Sequence, residues 1–168
     1  MSGDERLREA ESTAMDVDEL FDAWERAWSG RDPGAFAALC DPAVRYEDPL
    51  CEPLDGPAAI ARHAARLWDA FPDARVNRTG DRLTGGPYVC APCKVLGTHR
   101  GQIGRVTPTG RALEVHALVY AELRDGRLLR VRAFYDVWGA ARELGLVPRP
   151  GTAGERALLL LRGFGLRA

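Results

Sequence analysis

A chain of 168 residues, 46% hydrophobic and 28% charged, is long enough for one domain with a real core. Its 23 Lys plus Arg stand against 24 Asp plus Glu, a net charge of -1, so the composition offers no basic surface for nucleic acid and points to small, largely uncharged ligands. Residues 1–11 are charged with no apolar run, which reads as no signal peptide, and no apolar stretch approaches the ~20 residues that span a bilayer. The expectation is a cytoplasmic protein with no membrane partner.

In chain order, residues 1–15 read as a flexible arm. Val17, Leu20, Phe21, Trp24 and Trp28 recur at helical spacing and predict a helix over about 16–29, ended by Gly30. Asp32-Pro33 opens a short second helix carrying Phe36 and Leu39. A strand is predicted over 43–48, and a third helix over 57–70 with Ile60, His63, Ala64 and Leu67 on one face. Strands follow over 75–83, 88–98, 112–123 and 128–137, with turns at Gly85-Gly86 and Asp125-Gly126. Residues 101–110 form a turn-rich connection, 138–144 a helix, and 148–168 an extension after Pro148 and Pro150 whose Leu158–Leu161 run suits a short amphipathic helix. Three helices before a mostly antiparallel sheet is an α+β order, and a curved sheet over helices leaves an apolar mouth suited to a small molecule.

Of the four cysteines, Cys90 and Cys93 make a lone C-x-x-C inside a predicted strand, where they face opposite sides. Zinc needs a second pair or histidines at ligand spacing. Reduced packing thiols, and no metal, are expected.

The segment Tyr46-Glu47-Asp48-Pro49-Leu50 ends an apolar strand in a carboxylate just before a helix start. Asp before Pro is also a common turn opener. A carboxylate at the mouth of an apolar pocket is expected to have a raised proton affinity and can act as a general base.

The joint order of Gly30-Arg31-Asp32-Pro33, Phe36-Ala37-Ala38-Leu39, Asp41 to Leu50 and Gly56-Pro57-Ala58-Ala59-Ile60 resembles the ketosteroid isomerase and SnoaL-like cyclase group of the nuclear transport factor 2-like superfamily. Gly97-Thr98-His99-Arg100-Gly101, Pro108-Thr109-Gly110, Asp125-Gly126-Arg127-Leu128 and Phe134-Tyr135-Asp136 resemble the SnoaL-like branch especially. The resemblance covers about residues 16–147. It implies a cone-shaped α+β barrel with three N-terminal helices on a curved sheet, a homodimer through that sheet, and no metal or organic cofactor. It also implies that Asp48 is the base that moves a proton next to a carbonyl. The isomerase oxyanion donors and their support fall on Trp24, Val119 and Ala64, none of which can play the isomerase part, and Val119 cannot serve as the acid of many SnoaL-like cyclases.

Substitute donors are His63, one residue before Ala64, His99 in the Gly-Thr-His segment, and the Trp24 indole N–H. Each has a plainer reading, as a satisfied core residue or pocket wall. Tyr46, Trp68, Val119 and Tyr135 are expected as core or pocket wall. His116 lies out of phase with Val115, Ala117 and Val119 and is expected to face away. Asp136 either pairs with Arg132 or caps the last helix. The leading expectation is a cofactor-free cyclase or isomerase acting on a small apolar carbonyl-bearing metabolite, polyketide-like in character. The alternatives are a dehydratase or epoxide-opening enzyme, and a non-catalytic binding module.

Overall fold

The computed structural model describes residues 16–148 and 150–165; the arm expected over 1–15 lies outside the described residues. Helix α1 (Val17–Gly30) buries Leu20, Phe21, Trp24 and Ala27, and α2 (Ala35–Leu39) buries Phe36 and Leu39. Strands β1 (Cys40–Asp48) and β2 (Cys51–Asp55) form a hairpin, followed by α3 (Pro57–Ala70). Then come β3 (Arg75–Arg78), β4 (Leu83–Gly85), β5 (Tyr88–Thr98), β6 (Ala112–Arg124), β7 (Arg127–Tyr135), α4 (Val137–Glu143) and α5 (Ala153–Gly165). The sheet runs β2-β1-β7-β6-β5-β3, with β4 also on β5, and β2 and β3 end it without closing into a ring. Every pairing is antiparallel except β1 with β7, which is parallel. This is the expected α+β cone, with α1, α2 and α3 packed on the concave face of an open sheet.

Local chemistry explains most of the boundaries. Gly56 takes φ +82° and Pro57 occupies the first turn of α3, so chain reversal and helix start fall together. Asp125 and Gly126 both have positive φ and close the β6–β7 hairpin. In β6, Val115 and Val119 are buried with Ala117 between them, and His116 is exposed on the other face as expected.

Two predictions need correction. Residues 51–55 carry a strand that the sequence reading passed over; Pro53 is tolerated there because β2 is an edge strand. The single strand expected over 75–83 is two pieces, separated opposite Ala91 and Pro92 of β5. Pro92 has no N–H to donate to a continuous ladder. The interruption frees Arg82, whose side chain is 2% exposed and binds Asp18, Asp22 and Glu25 of α1 at 2.7, 2.6 and 3.0 Å. That contact ties α1 to the sheet. Asp136 caps α4 by accepting from the Gly139 N–H, and Arg132 pairs with Glu47 instead.

The connection after β5 tucks under the end of α3. Arg100 and Gly101 donate their N–H groups to the Ala70 carbonyl at 2.8 and 3.0 Å. A Cβ on Gly101 would overlap the Asp69 carbonyl. Gly101→Ala should therefore lower stability by about 2–3 kcal/mol, read as a fall in Tm relative to Gly85→Ala, where a Cβ meets open space and φ is not positive. Equal Tm values for the two variants would contradict this docking.

Candidate active site

Between the helices and the concave face lies a cavity of about 320 Å³ with an almost wholly apolar wall. Trp24 and Trp28 of α1, Tyr46 of β1 and Trp68 of α3 form one side, with Phe36 packed among them at ring-centroid distances of 5.4 Å to Trp24 and 5.3 Å to Trp28. Val119 and Tyr135 lie on the sheet side. Trp24, Tyr46, Trp68, Val119 and Tyr135 therefore all line the cavity, as the sequence suggested. Trp28 was not singled out, although it stands one helical turn from Trp24 on the same stripe.

Asp48 is the only carboxylate among the described residues that line this cavity. Alternation along β1 turns Val44, Tyr46 and Asp48 to the inner face, and the β1–β2 register shifts between Tyr46 and Asp48. Pro49-Leu50 then closes a tight turn in which Asp48 Oδ1 accepts the Leu50 N–H at 2.6 Å. Oδ2 accepts from the Tyr46 hydroxyl at 2.9 Å and meets His63 Nε2 at 2.8 Å. The Asp48 and His63 side chains are 2% and 3% exposed.

His63 reaches Asp48 from the inner face of α3. An Arg66 guanidinium nitrogen lies 3.4 Å from His63 Nδ1. A guanidinium only donates, so Nδ1 accepts and Nε2 carries the hydrogen given to Asp48. His63 thus stands behind the carboxylate and is not part of the cavity wall. His99 lines the cavity beside Phe71, which follows the last residue of α3, whereas His63 lies in the middle of that helix. The two histidines considered together as partners of Asp48 are therefore separated, and only His63 touches it.

Electrostatics correct one expectation. Burial alone raises the Asp48 carboxyl, but hydrogen bonds from His63, the Leu50 N–H and Tyr46 outweigh it, and the pKa ends below the ordinary carboxylate value. The base is ionised and comparatively weak, not raised in proton affinity. Burial and the Asp48 charge together push the Tyr46 and Tyr135 phenols up, so both remain donors.

Cys51, opposite Asp48 on β2, is pushed up to about 11 by burial and by the Asp48 carboxylate. Asp48, Cys51 and His63 each bring one ligating atom within 4.8 Å of the others. This mixed donor set suits a borderline ion such as zinc, but the Asp48 and His63 donors are already engaged with each other. The sequence reading missed this trio, since it weighed Cys51 only with Cys40, as a second pair for Cys90 and Cys93, and set that pair aside. All four cysteines are free thiols.

The arrangement of helices and sheet is matched outside this chain. The model of the SnoaL-like polyketide cyclase family matches residues 18–144. The chain belongs to that family. Among curated proteins none matches it. Solved structures share the fold. IdmH, a candidate polyketide cyclase from Streptomyces antibioticus, superposes with a TM-score of 0.67 at 23% identity, covering 76% of this chain and 97% of that one. AclR, a candidate hydroxylase from Streptomyces galilaeus, gives 0.70 at 18% identity over 87% and 95%. A protein with a ketosteroid isomerase-like fold from Catenulispora acidiphila, in complex with trimethylamine, gives 0.67 at 19% identity over 77% and 95%. Family membership agrees with a general cyclase or isomerase-like role. No helix among the described residues is long and apolar enough to cross a membrane.

A pH test follows from the Asp48 contacts. Its folded pKa is depressed, so it contributes stability above the unfolded carboxylate value, and that contribution is lost as pH falls through the lower folded value. His63→Leu removes one of the donors responsible. The Asp48 carboxyl should then titrate at higher pH by 13C NMR, and acidification should cost the variant less stability than it costs wild type. His63→Gln, which keeps an N–H donor, should recover part of the shift. An unmoved Asp48 titration in His63→Leu would show that the imidazole does not govern this carboxyl.

Proposed function

We propose that this SnoaL-like family member is a cofactor-free cyclase or isomerase for an apolar, carbonyl-bearing, polyketide-like metabolite, with Asp48 as general base. The observation that carries the reading is a single ionised carboxylate in the wall of an otherwise apolar cavity. Asp48 takes a proton from a carbon next to a carbonyl; that C–H bond breaks and its electron pair becomes the enolate. The enolate carbon attacks a second carbonyl of the same molecule and closes a ring, and the proton on Asp48 goes to the new alkoxide. No external oxidant or reductant is required. In isomerisation the proton returns to a different carbon.

A carboxylate with depressed proton affinity suits only an acidic C–H, such as a methylene between two carbonyls. That feature favours a β-dicarbonyl substrate. The developing oxyanion has donors in the Tyr135 hydroxyl and the Trp24 indole N–H, both in the cavity wall. His63 acts through Asp48 as a positioning residue. The aromatic wall folds the chain so that the two reacting carbons meet, and orientation of this kind is a large part of any ring closure. Epoxide opening is less supported, because the imidazole nearest the base gives its hydrogen to that base. Free thiols fit a reducing compartment such as the cytoplasm.

The test is the keto–enol interconversion of benzoylacetone followed by ultraviolet absorbance. Wild type should accelerate it, and Asp48→Asn should lose about 10²–10³-fold of the acceleration with its Tm retained. Undiminished catalysis by Asp48→Asn would end the base assignment and favour the binding-module reading.

The outer face of the sheet also supports self-association. Leu118 and Phe134 are cross-strand partners and 41% and 49% exposed, and Tyr88 and Tyr120 stack beside them at 5.9 Å between centroids. Exposed apolar side chains grouped on one face suit an interface between two copies. Sedimentation should find a dimer for wild type and a monomer for Leu118→Glu/Phe134→Glu; a wild-type monomer would exclude a homodimer through the sheet.

A further inference from the structure

Three connections contribute residues that both line the cavity and reach solvent, and these residues mark its rim. Leu50 of the β1–β2 turn, Val137 at the start of α4 and Leu146 just after that helix line the cavity and are exposed. Ile103 and Val106, from the connection between β5 and β6, line it as well and are half-buried. Two of the three connections are fixed by hydrogen bonds. The Leu50 N–H is held by Asp48 Oδ1 at 2.6 Å. Asp136 caps α4 through the Gly139 N–H at 2.8 Å, the Leu146 N–H donates to the Ala141 carbonyl at 2.8 Å, and Glu143 Oε2 accepts the Glu114 N–H of β6 at 3.0 Å.

The β5–β6 connection is held differently, for only its two bases are pinned. At the first, Arg100 and Gly101 donate to the Ala70 carbonyl at 2.8 and 3.0 Å. At the second, the Gly110 N–H donates to the His99 carbonyl and the His99 N–H to the Arg111 carbonyl, both at 2.9 Å, and the Thr109 N–H donates to His99 Nδ1 at 3.2 Å. The fully buried His99 ring is thereby an anchor for this base. Between the bases, residues 102–108 bond only to one another. The Ile103 N–H donates to the Val106 carbonyl at 3.1 Å, the Val106 N–H to the Ile103 carbonyl at 2.8 Å, and Gln102 Nε2 to the Gly104 carbonyl at 2.8 Å. No hydrogen bond or ion pair joins 102–108 to any other of the described residues. Apolar contact through Ile103 and Val106 is what holds this segment on the cavity. A segment held in that way opens at a lower free-energy cost than one hydrogen-bonded to its surroundings.

We infer that residues 102–108 are the gate through which a ligand enters the cavity, hinged at Gly101 and at Thr109-Gly110, and that Ile103 and Val106 close over the ligand once it is inside. These two side chains are then specificity-determining residues that touch the ligand. Neither carries a polar atom, so the ligand class they select is a neutral molecule whose rim-facing end is apolar. The inference goes beyond the cyclase reading. It requires no chemistry at Asp48 and applies equally to an enzyme and to a binding module.

The test uses N-phenyl-1-naphthylamine, a neutral probe that fluoresces in apolar surroundings and has no carbonyl, so Asp48 has no acidic C–H to abstract. Its association and dissociation rates are read by stopped-flow fluorescence. Ile103→Ala/Val106→Ala removes apolar surface that holds the gate shut, and should raise the association rate about tenfold. Leu146→Ala trims the fixed side of the rim and should leave that rate within about twofold of wild type, since loss of a wall contact acts on dissociation. In wild type, amide exchange at Ile103 and Val106 should slow when the probe is bound, while exchange at the pinned Gly101 and Gly110 stays as it was. That measurement decides the matter if the double variant fails to fold. An unchanged association rate in the double variant, an equal rise in Leu146→Ala, unmoved exchange at Ile103 and Val106 with probe bound, or no binding of the probe by wild type at micromolar concentration would each overturn the gate. Asp48→Asn should keep both wild-type rates, so failure of the base assignment and failure of this one are read separately.

Discussion

A carboxylate placed inside an apolar cone is the constraint around which the rest of the protein is arranged. Moving an ion out of water is expensive, and an isolated one would take up a proton instead. Asp48 avoids this through three donors drawn from three places: the turn it opens, its own strand and a helix. The turn supplies the Leu50 N–H, the strand supplies Tyr46, and α3 supplies His63. Burial, with the Asp48 charge added to it, raises the Tyr46, Tyr135 and Cys51 groups and keeps each protonated. A site of this kind has one anion and a surrounding set of neutral donors, which suits proton removal followed by oxyanion stabilisation.

The same requirement explains the supporting architecture. His63 reaches Asp48 only if α3 lies at the right depth against the sheet, and both ends of α3 are fixed. Gly56 and Pro57 set its start, and the Ala70 carbonyl accepts two N–H groups from the connection at Arg100 and Gly101. Helix α1 is tied to the sheet through Arg82 and three carboxylates, which holds Trp24 and Trp28 in the cavity wall. The closed aromatic side of the cavity excludes water, and exclusion of water is what makes a few well-placed donors effective.

Much of the fold was legible in the residues because local signals coincided. Helix α3 and strand β5 fall on their expected residues, the first bounded by Gly56-Pro57 and a clear apolar stripe, the second by turn residues on both sides. Errors arose where a neighbour set the outcome. Strand β2 contains Pro53 and is a strand only because β1 offers it an edge. The break between β3 and β4 is dictated by Pro92 on another strand. The direction of the Asp48 shift was misjudged for a related reason. The apolar residues next to it in sequence argue for a raised value, and the donors that lower it include one contributed fifteen residues away.

The sequence by itself determined the α+β order, the family and the identity of the inward carboxylate, since strand alternation and the Asp-Pro turn are short-range properties. It also narrowed the donors to a few histidines and aromatic residues. Only the tertiary structure decided which of them meet. His63 and His99 look equivalent as isolated histidines near apolar runs, yet one gives its hydrogen to Asp48 and the other is locked by Thr109 beside Phe71. That difference depends on how α3 crosses the sheet and how the connection after β5 folds back beneath it. Both are set by contacts between residues far apart in the chain, and no local periodicity encodes them.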